Sequence, residues 1–344
     1  MTETENYKKK NIYFQWVKKI PLSNLPIYFE NNYLNIFAEF EKSKLRILKC
    51  SFNSILYLPL LIKDMGSFKE AYSAYGYGGF LGEGKITSKN LEALKIFLSS
   101  EGIISLFIRY SPFLENHKII DRYNKELNRH TYSIELKKNK SFETFKKTLR
   151  QKIRWSVNYA LRANLSVNIK QLQDCSYQIM EEFYDLYSNL MQSKSIKNET
   201  CFNKEFFNDH LDKLKKNCYI FYINDSNTHK MIAGSLFLTD NSQWSHYHLS
   251  ATSMIAMKNQ SMELILSMAI FFFGNKNFKY LHLGGGHNLD EKDGLSYFKR
   301  KFSSTKHDFY CSKIICNDNQ YFYERKMNNI LNNKFFLISH SIKD

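Results

Sequence analysis

The chain reads as a mixed α/β (α+β) protein of two tandem domains, each a mixed central sheet flanked by helices. Three observations predict this. Its 344 residues exceed what one hydrophobic core comfortably organises, so two cores of roughly 150 residues each are expected. Hydrophobic residues make up 43% and aromatic residues 16% of the sequence, enough apolar surface to offset chain entropy and exclude a disordered chain. Segments of helical and strand periodicity also alternate along the whole length.

In the first section, apolar residues at three- and four-residue steps predict a helix over Leu22–Glu41. Strand-like runs follow at Arg46–Ser51 and Ile55–Ile62. Ser73–Gly84 reads SAYGYGGFLGEG; five glycines in this stretch mark a loop. Asn90–Ser100 has helical spacing, with Ser88 as the expected N-cap. Apolar strands are predicted at Ile103–Tyr110 and His130–Leu136.

The second section opens on one long basic helix, Ser141–Ala163, carried by the spacing of Phe142, Phe145, Leu149, Ile153 and Val157. A strand over Leu165–Lys170 precedes helices at Tyr177–Gln192 and Lys204–Lys215. Strands then follow at Tyr219–Asn224, Met231–Thr239 and Gln243–Ser250. A helix over Asn259–Phe273 leads to strand Tyr280–Leu283, a glycine turn, a helical stretch at Leu295–Lys301 and strand His307–Ile315. The tail from Tyr321 onward has an amphipathic helical pattern. This divides the chain into 1–140, 141–318 and a tail, 319–344. The second section has the element order expected of a GNAT fold, and the first a shorter version of it.

The formal net charge of +16 attracts polyanions such as nucleic acid, coenzyme A, nucleotide-linked sugars or an anionic membrane face. AT-rich codon usage yields the same richness in Lys, Asn, Ile, Phe and Tyr, so local clustering is more informative than the total. The six cysteines are scattered without metal-ligand spacing, which argues against a zinc site and fits a reducing compartment. The N-terminal residues show no signal-peptide pattern. The most apolar run, Leu264–Phe273, is half of the roughly 20 residues that a membrane span needs. A cytoplasmic protein is expected, with peripheral contact at the inner membrane face left open.

Four stretches, taken together, resemble one family: AYGYGGF (Ala74–Phe80), TLRQKIRWSVNYALRANLSV (Thr148–Val167), AGSLFL (Ala233–Leu238) with HYHLSAT (His246–Thr252), and YLHLGGG (Tyr280–Gly286) with DGLSYFKRKFSS (Asp293–Ser304). The set is similar to the Fem-type peptidoglycan-bridge aminoacyltransferases and related GNAT-like acyltransferases of bacterial envelope polysaccharide clusters. The resemblance implies twin GNAT-like domains, the first on the acceptor side and the second on the acyl-donor side. It implies acyl-CoA or aminoacyl-tRNA as co-substrate, with no tightly bound cofactor. The implied acceptor is an amine on a nucleotide- or lipid-linked sugar or peptide precursor. One departure concerns the donor: where GNAT enzymes place a glycine-rich turn for the coenzyme A pyrophosphate, this chain reads MKNQSMEL (Met257–Leu264).

Acyl transfer to an amine needs stabilisation of a developing oxyanion and a route for one proton. The resemblance favours Lys299 as the cationic group. His246 and His248, two apart on a strand and hence on one face, are candidate proton acceptors or else core histidines. Asp293 is an alternative acceptor or a helix cap. Gly284, Gly285 and Gly286 end a strand at a sheet's carboxyl edge, where ligands bind in open α/β folds; the competing reading is a plain turn. Tyr75, Tyr77, Gly78 and Gly79 line the acceptor groove by resemblance, or form a packed loop. Arg150 and Arg154, an i, i+4 pair on the basic helix, suit phosphate binding, against a solvated linker helix. The reading from another class is a non-catalytic RNA- or tRNA-binding or scaffold protein, which predicts aromatics interleaved with cations on one surface.

Overall fold

The computed structural model describes residues 12–195, 201–241, 243–290, 292–330 and 336–341. Within them the chain runs β1 (Tyr13–Val17), α1 (Asn31–Phe40), β2 (Lys44–Ser51), β3 (Ile55–Asp64), β4 (Lys69–Tyr72), α2 (Ser88–Ser100), β5 (Ile103–Arg109) and β6 (Glu126–Glu135). It continues through α3 (Phe142–Thr148), α4 (Gln151–Arg162), β7 (Asn168–Gln171), α5 (Tyr177–Ser193), α6 (Lys204–Lys213), β8 (Cys218–Asn224), β9 (Met231–Thr239) and β10 (Trp244–Thr252). The last elements are α7 (Met254–Lys258), α8 (Ser261–Asn275), β11 (Tyr280–Gly285), α9 (Gly294–Phe302), β12 (Thr305–Ile315), α10 (Asp318–Met327) and α11 (Ile338–Ser341).

These elements form two compact units, interleaved along the chain rather than divided at 140 and 318. Unit 1 takes the residues up to Leu22, Glu41–Asn128, and those from Phe309 onward; unit 2 takes Ser23–Phe40 and Arg129–Asp308. The reason is connectivity. The Phe309–Ile315 part of β12 belongs to unit 1, where Cys311–Ile315 pairs with β5, so the chain leaves unit 1 after residue 128 and returns to it at 309. Likewise α1 packs against α6 in unit 2 although it precedes β2 in sequence.

Each unit has a mixed sheet with the same internal plan. In unit 1 the strand order is β1-β2-β3-β4-β5-β12, antiparallel except for the β4–β5 pair. In unit 2 it is β7-β8-β9-β10-β11-β6, antiparallel except for the β10–β11 pair. A helix connects each parallel pair, α2 in the first unit and α8 in the second, as a parallel crossover requires. The strands are buried almost continuously, and Leu58, Leu60, Ala71 and Leu106 join a core with Leu94 and Leu98 of α2. The corresponding core of unit 2 joins Phe221, Phe237, Leu281 and Leu283 to Leu264, Ala269 and Phe273 of α8 and to Val157 of α4.

Several local expectations are corrected. The long basic helix is two helices, because Leu149 and Arg150 are extended (ψ 145° and 141°) between α3 and α4. Thr87, not Ser88, caps α2: its hydroxyl accepts from Asn90 N at 3.2 Å, while its own N–H donates to the Asn90 side chain. The helix expected from Asn259 starts at Ser261, after the separate turn of α7. The helix expected from Leu22 starts at Asn31. Strands β1 and β4 were not foreseen. The tail is helical at α10 and again at α11, where the buried Glu70 carboxylate accepts from Ile338 N and Ser339 N, both at 2.8 Å; residues 331–335 of that tail lie outside the described residues.

Candidate active site

The site grows from the parallel pair of unit 2. Strands β10 and β11 are in register at Trp244↔Tyr280, Ser245↔Leu281 and His246↔His282, where their ladder ends although both strands continue. Just past that point β10 is bulged against β9 between Tyr247 and Leu249, and β11 against β6 between His282 and Gly284. Bulges bend strands and re-aim side chains. Between the carboxyl ends of two parallel strands they leave a crevice of the kind in which α/β sheets bind ligands.

Helix α9 supplies the charge beneath this crevice. Asp293 caps it, its Oδ2 accepting from Ser296 N at 2.8 Å. The same carboxylate accepts from His287 N at 3.2 Å and meets His287 Nδ1 at 2.7 Å. These bonds hold the Asp293 carboxyl below its ordinary range against the opposing effect of desolvation. Gly286 passes so close to this cap that a Cβ there would stand 2.0 Å from Asp293 Oδ2. One and a half turns further along α9, Lys299 is 7% exposed and donates from Nζ to Gly285 O at 2.7 Å. The Tyr247 ring centre lies 5.8 Å from the same nitrogen.

Burial, and then the neighbouring Arg129 charge, push the Lys299 amine down to about 7, with Asp293 pulling the other way. Its charged and neutral forms are therefore both populated near neutral pH, the condition for efficient proton transfer. An ammonium has three N–H groups. With one of them on Gly285 O, the others are chemically available to an oxyanion or a leaving group.

Sequence reasoning missed three groups around this lysine. Arg129, on β6, donates from Nη1 to Gly286 O at 2.9 Å. The Tyr132 hydroxyl is 2.9 Å from Ser296 Oγ. Tyr247 is raised in pKa by burial, and its ring faces the lysine amine. The signal for Tyr247 was present: it lies between His246 and His248, so alternation places it on the other face of β10 from the histidines.

Those histidines share a face, as their spacing predicts, but the structure does not bring them to Lys299. His246 packs edge-on against Tyr28, ring centres 5.0 Å apart. His248 meets His210 at 3.2 Å between Nε2 atoms, among Tyr33 and Phe37. Burial lowers the pKa of His210 to about 4 and takes His248 well below its ordinary value. For His210 and His248 this is the geometry of neutral core histidines, whereas the buried His246 has Nε2 3.8 Å from Asp240 Oδ2.

Arg150 and Arg154 do not form an open phosphate stripe. Arg150 donates to Lys301 O at 3.0 Å and Ser303 O at 3.2 Å, closing the carboxyl end of α9; Arg154 donates to Lys147 O at 3.1 Å. The glycine-poor turn before α8 has its own chemistry. Gln260 is left-handed (φ 59°), and Glu263 in the first turn of α8 pairs with Lys301 at 3.1 Å. A carboxylate already occupies the positive end of this helix dipole.

In unit 1, Tyr75, Tyr77, Gly78 and Gly79 form a loop knitted to its own sheet. Gly78 N donates to Arg109 O at 2.8 Å, and Asn116 Nδ2 donates to Gly78 O at 2.8 Å and Phe80 O at 3.0 Å. Tyr77 is buried against Phe113 and Phe309, while Tyr75 is exposed. Gly79 has φ +89°, and a Cβ there would lie 2.9 Å from the Tyr110 ring. Among the described residues no cluster of three or more His, Cys, Asp or Glu side chains could hold a metal ion.

Two sheets of this plan, each with a helix-linked parallel pair, define a twin GNAT-like fold. More particularly, residues 82–248 match a FemAB-like family described as peptidoglycan biosynthesis/recognition. The crystal structure of FemX superposes with a TM-score of 0.63 at 12% identity, covering 88% of this chain and 95% of that one. The C-terminal domain of a putative lysylphosphatidylglycerol synthetase from Agrobacterium fabrum gives 0.53 at 12% identity, over 81% of this chain and 86% of the other. L-PGS from Bacillus licheniformis gives 0.50 at 12% identity, over 84% and 92%. These likenesses are of fold, and they meet the resemblance to Fem-type and GNAT-like proteins carried by the sequence motifs. No curated protein matches the sequence.

Proposed function

We propose that the chain is an N-acyltransferase or aminoacyltransferase that modifies an amino group on a cell-envelope precursor. The observation that carries this reading is Lys299, buried at the mouth of the β10/β11 crevice with its amine depressed to about 7. The FemAB-like match and the FemX fold support the envelope acceptor. In the reaction, the acceptor nitrogen attacks the donor carbonyl carbon. A C–N bond forms, the C–O or C–S bond of the donor breaks, and the leaving oxygen or sulfur departs with a proton. Protonated Lys299 donates to the oxyanion as it forms, in a site where exclusion of water strengthens that bond. The same ammonium can deliver the leaving group's proton and, once neutral, take up the proton that the acceptor nitrogen gives up.

Of the two donors, the geometry favours aminoacyl-tRNA. A coenzyme A pyrophosphate at the start of α8 would meet the Glu263 carboxylate and a turn without glycine. The test is saturable binding of acetyl-CoA, longer acyl-CoAs and charged tRNA at fixed salt, followed by transfer of a labelled acyl group to amine acceptors. Preference for charged over bare tRNA with transfer is the expected result. Salt-resistant acyl-CoA binding with transfer would reverse the choice of donor. Binding that only tracks ionic strength, with no transfer from any donor, would sink the enzymatic reading.

A further inference from the structure

With Arg150 and Arg154 occupied by backbone carbonyls, a different set of side chains faces outward from α4. Lys152, Trp155, Tyr159 and Arg162 recur at steps of three, four and three residues, which puts them on one helix face about 15 Å long. All four are exposed, Trp155 to 56% and Tyr159 to 42%. The two rings lie against each other, 5.4 Å between centres and 26° between planes.

Helix α9 widens this face within the same unit. Lys152 Nζ reaches the Tyr297 hydroxyl at 3.2 Å, and Tyr297 is 45% exposed. The cations of Arg300 and Lys301 stand 5.9 and 5.8 Å from the Tyr297 ring centre. The sequence has no acidic residue from Thr144 to Gln173 or from Gly294 to His307.

We propose that this α4–α9 face docks on an anionic lipid bilayer. The proposal is independent of the acyl-transfer reading. Tryptophan and tyrosine place an apolar ring and a polar tip at the depth where headgroups meet acyl chains. Lysine and arginine at the ends of the aromatic stripe extend to the phosphates of anionic lipids; these two elements carry few carboxylates, and the nearby Glu263 of α8 is paired with Lys301. Single-stranded nucleic acid is the competing occupant, since it too takes aromatics and cations. It is normally bound along a charged groove with rings open for stacking. Here the two largest rings cover one another on an exposed helix face.

The test is sedimentation of the full chain with phosphatidylcholine vesicles and with mixed phosphatidylcholine–phosphatidylglycerol vesicles. Specific retention by the mixed vesicles is expected. Lys152→Glu with Arg162→Glu should weaken it about tenfold or more, as should Trp155→Ser with Tyr159→Ser. A control, Lys44→Glu with Lys89→Glu, makes the same change in net charge on exposed lysines of unit 1 and should retain binding. Each variant's melting curve is compared with the parent's. In parallel, the fluorescence of the parent minus that of Trp155→Phe should shift to the blue on adding mixed vesicles. Equal loss in the control would reduce the effect to overall charge and overturn the proposal. So would an unshifted Trp155 signal, no retention of the parent, or loss of single-stranded RNA binding by the stripe variants with vesicle binding intact.

Discussion

The two units solve one architectural problem in opposite ways. Each has a parallel strand pair joined by a helix, and in each the carboxyl ends of that pair define a potential cleft. In unit 1 the chain closes it. Past Tyr72↔Phe107, Ser73 N donates to Phe107 O at 2.9 Å, Gly78 bridges to Tyr110, and Asn116 ties the loop down. The Arg109 guanidinium is held by Ser73 O at 2.8 Å. In unit 2 the ladder stops at His246↔His282, and the group that reaches the gap is a buried amine rather than main chain. A cleft filled with backbone is a structural joint, whereas one lined by a strained charge is a place for chemistry.

This contrast predicts what substitution should do in each cleft. The largest effect is expected from Lys299→Met, which should lower acyl transfer about 10²- to 10³-fold while leaving the circular dichroism spectrum unchanged. Retained turnover would return unit 2 to the status of unit 1. The counterpart in unit 1, Asn116→Ala, removes the acceptor of Ser111 N and the donor to two loop carbonyls. Leaving such buried groups unpaired costs about 2–4 kcal/mol, to be read as a lower urea midpoint, with transfer per folded molecule preserved.

The pH dependence of stability sharpens the comparison further. The folded-state value of Lys299 is about 7, below the ordinary lysine range, so between these limits the unfolded chain binds more protons than the folded one. Stability should therefore rise with pH across that window, by up to about 1.4 kcal/mol per unit. Lys299→Met should flatten the rise. Melting temperatures at neutral pH and near pH ~9.5 test this, and identical slopes in parent and variant would contradict the buried-amine description. The smallest effect is expected at Gly79→Ala. Its left-handed backbone and the nearby Tyr110 ring should cost unit 1 about 1–2 kcal/mol, visible as a lowered melting temperature.

Much of the fold was legible because the burial pattern and the residue pattern coincide. The β8–β9–β10 run is long and largely apolar, and helices α5, α6 and α8 are long enough to stand out. Strands β1 and β4, with five and four residues, are too short for alternation to stand out. The break at Leu149–Arg150 was hidden for a different reason: Phe142, Phe145, Leu149, Ile153 and Val157 keep their helical spacing across it, and all of them pack in the same core. Sequence motifs gathered Lys299, Asp293 and the glycine turn into one neighbourhood, where the structure also places them. They could not reveal Arg129, whose contact with Gly286 depends on the pairing of β6 with β11. Nor could they separate His246 from Tyr247, because histidine's solution chemistry suits proton transfer on whichever face of β10 it lies.

The interleaving of the two units also sets an order of events during synthesis. Every residue of unit 2 has been translated once the ribosome passes Asp308, so this unit can complete its sheet while unit 1 still lacks the antiparallel partner of β5. Until Phe309–Ile315 emerges, the edge of β5 is an unpaired template for other chains. A nascent chain stalled just short of that strand would carry a finished unit 2 beside an unfinished and adhesive unit 1. The last strand among the described residues thus acts as a late seal on the unit whose residues are translated first.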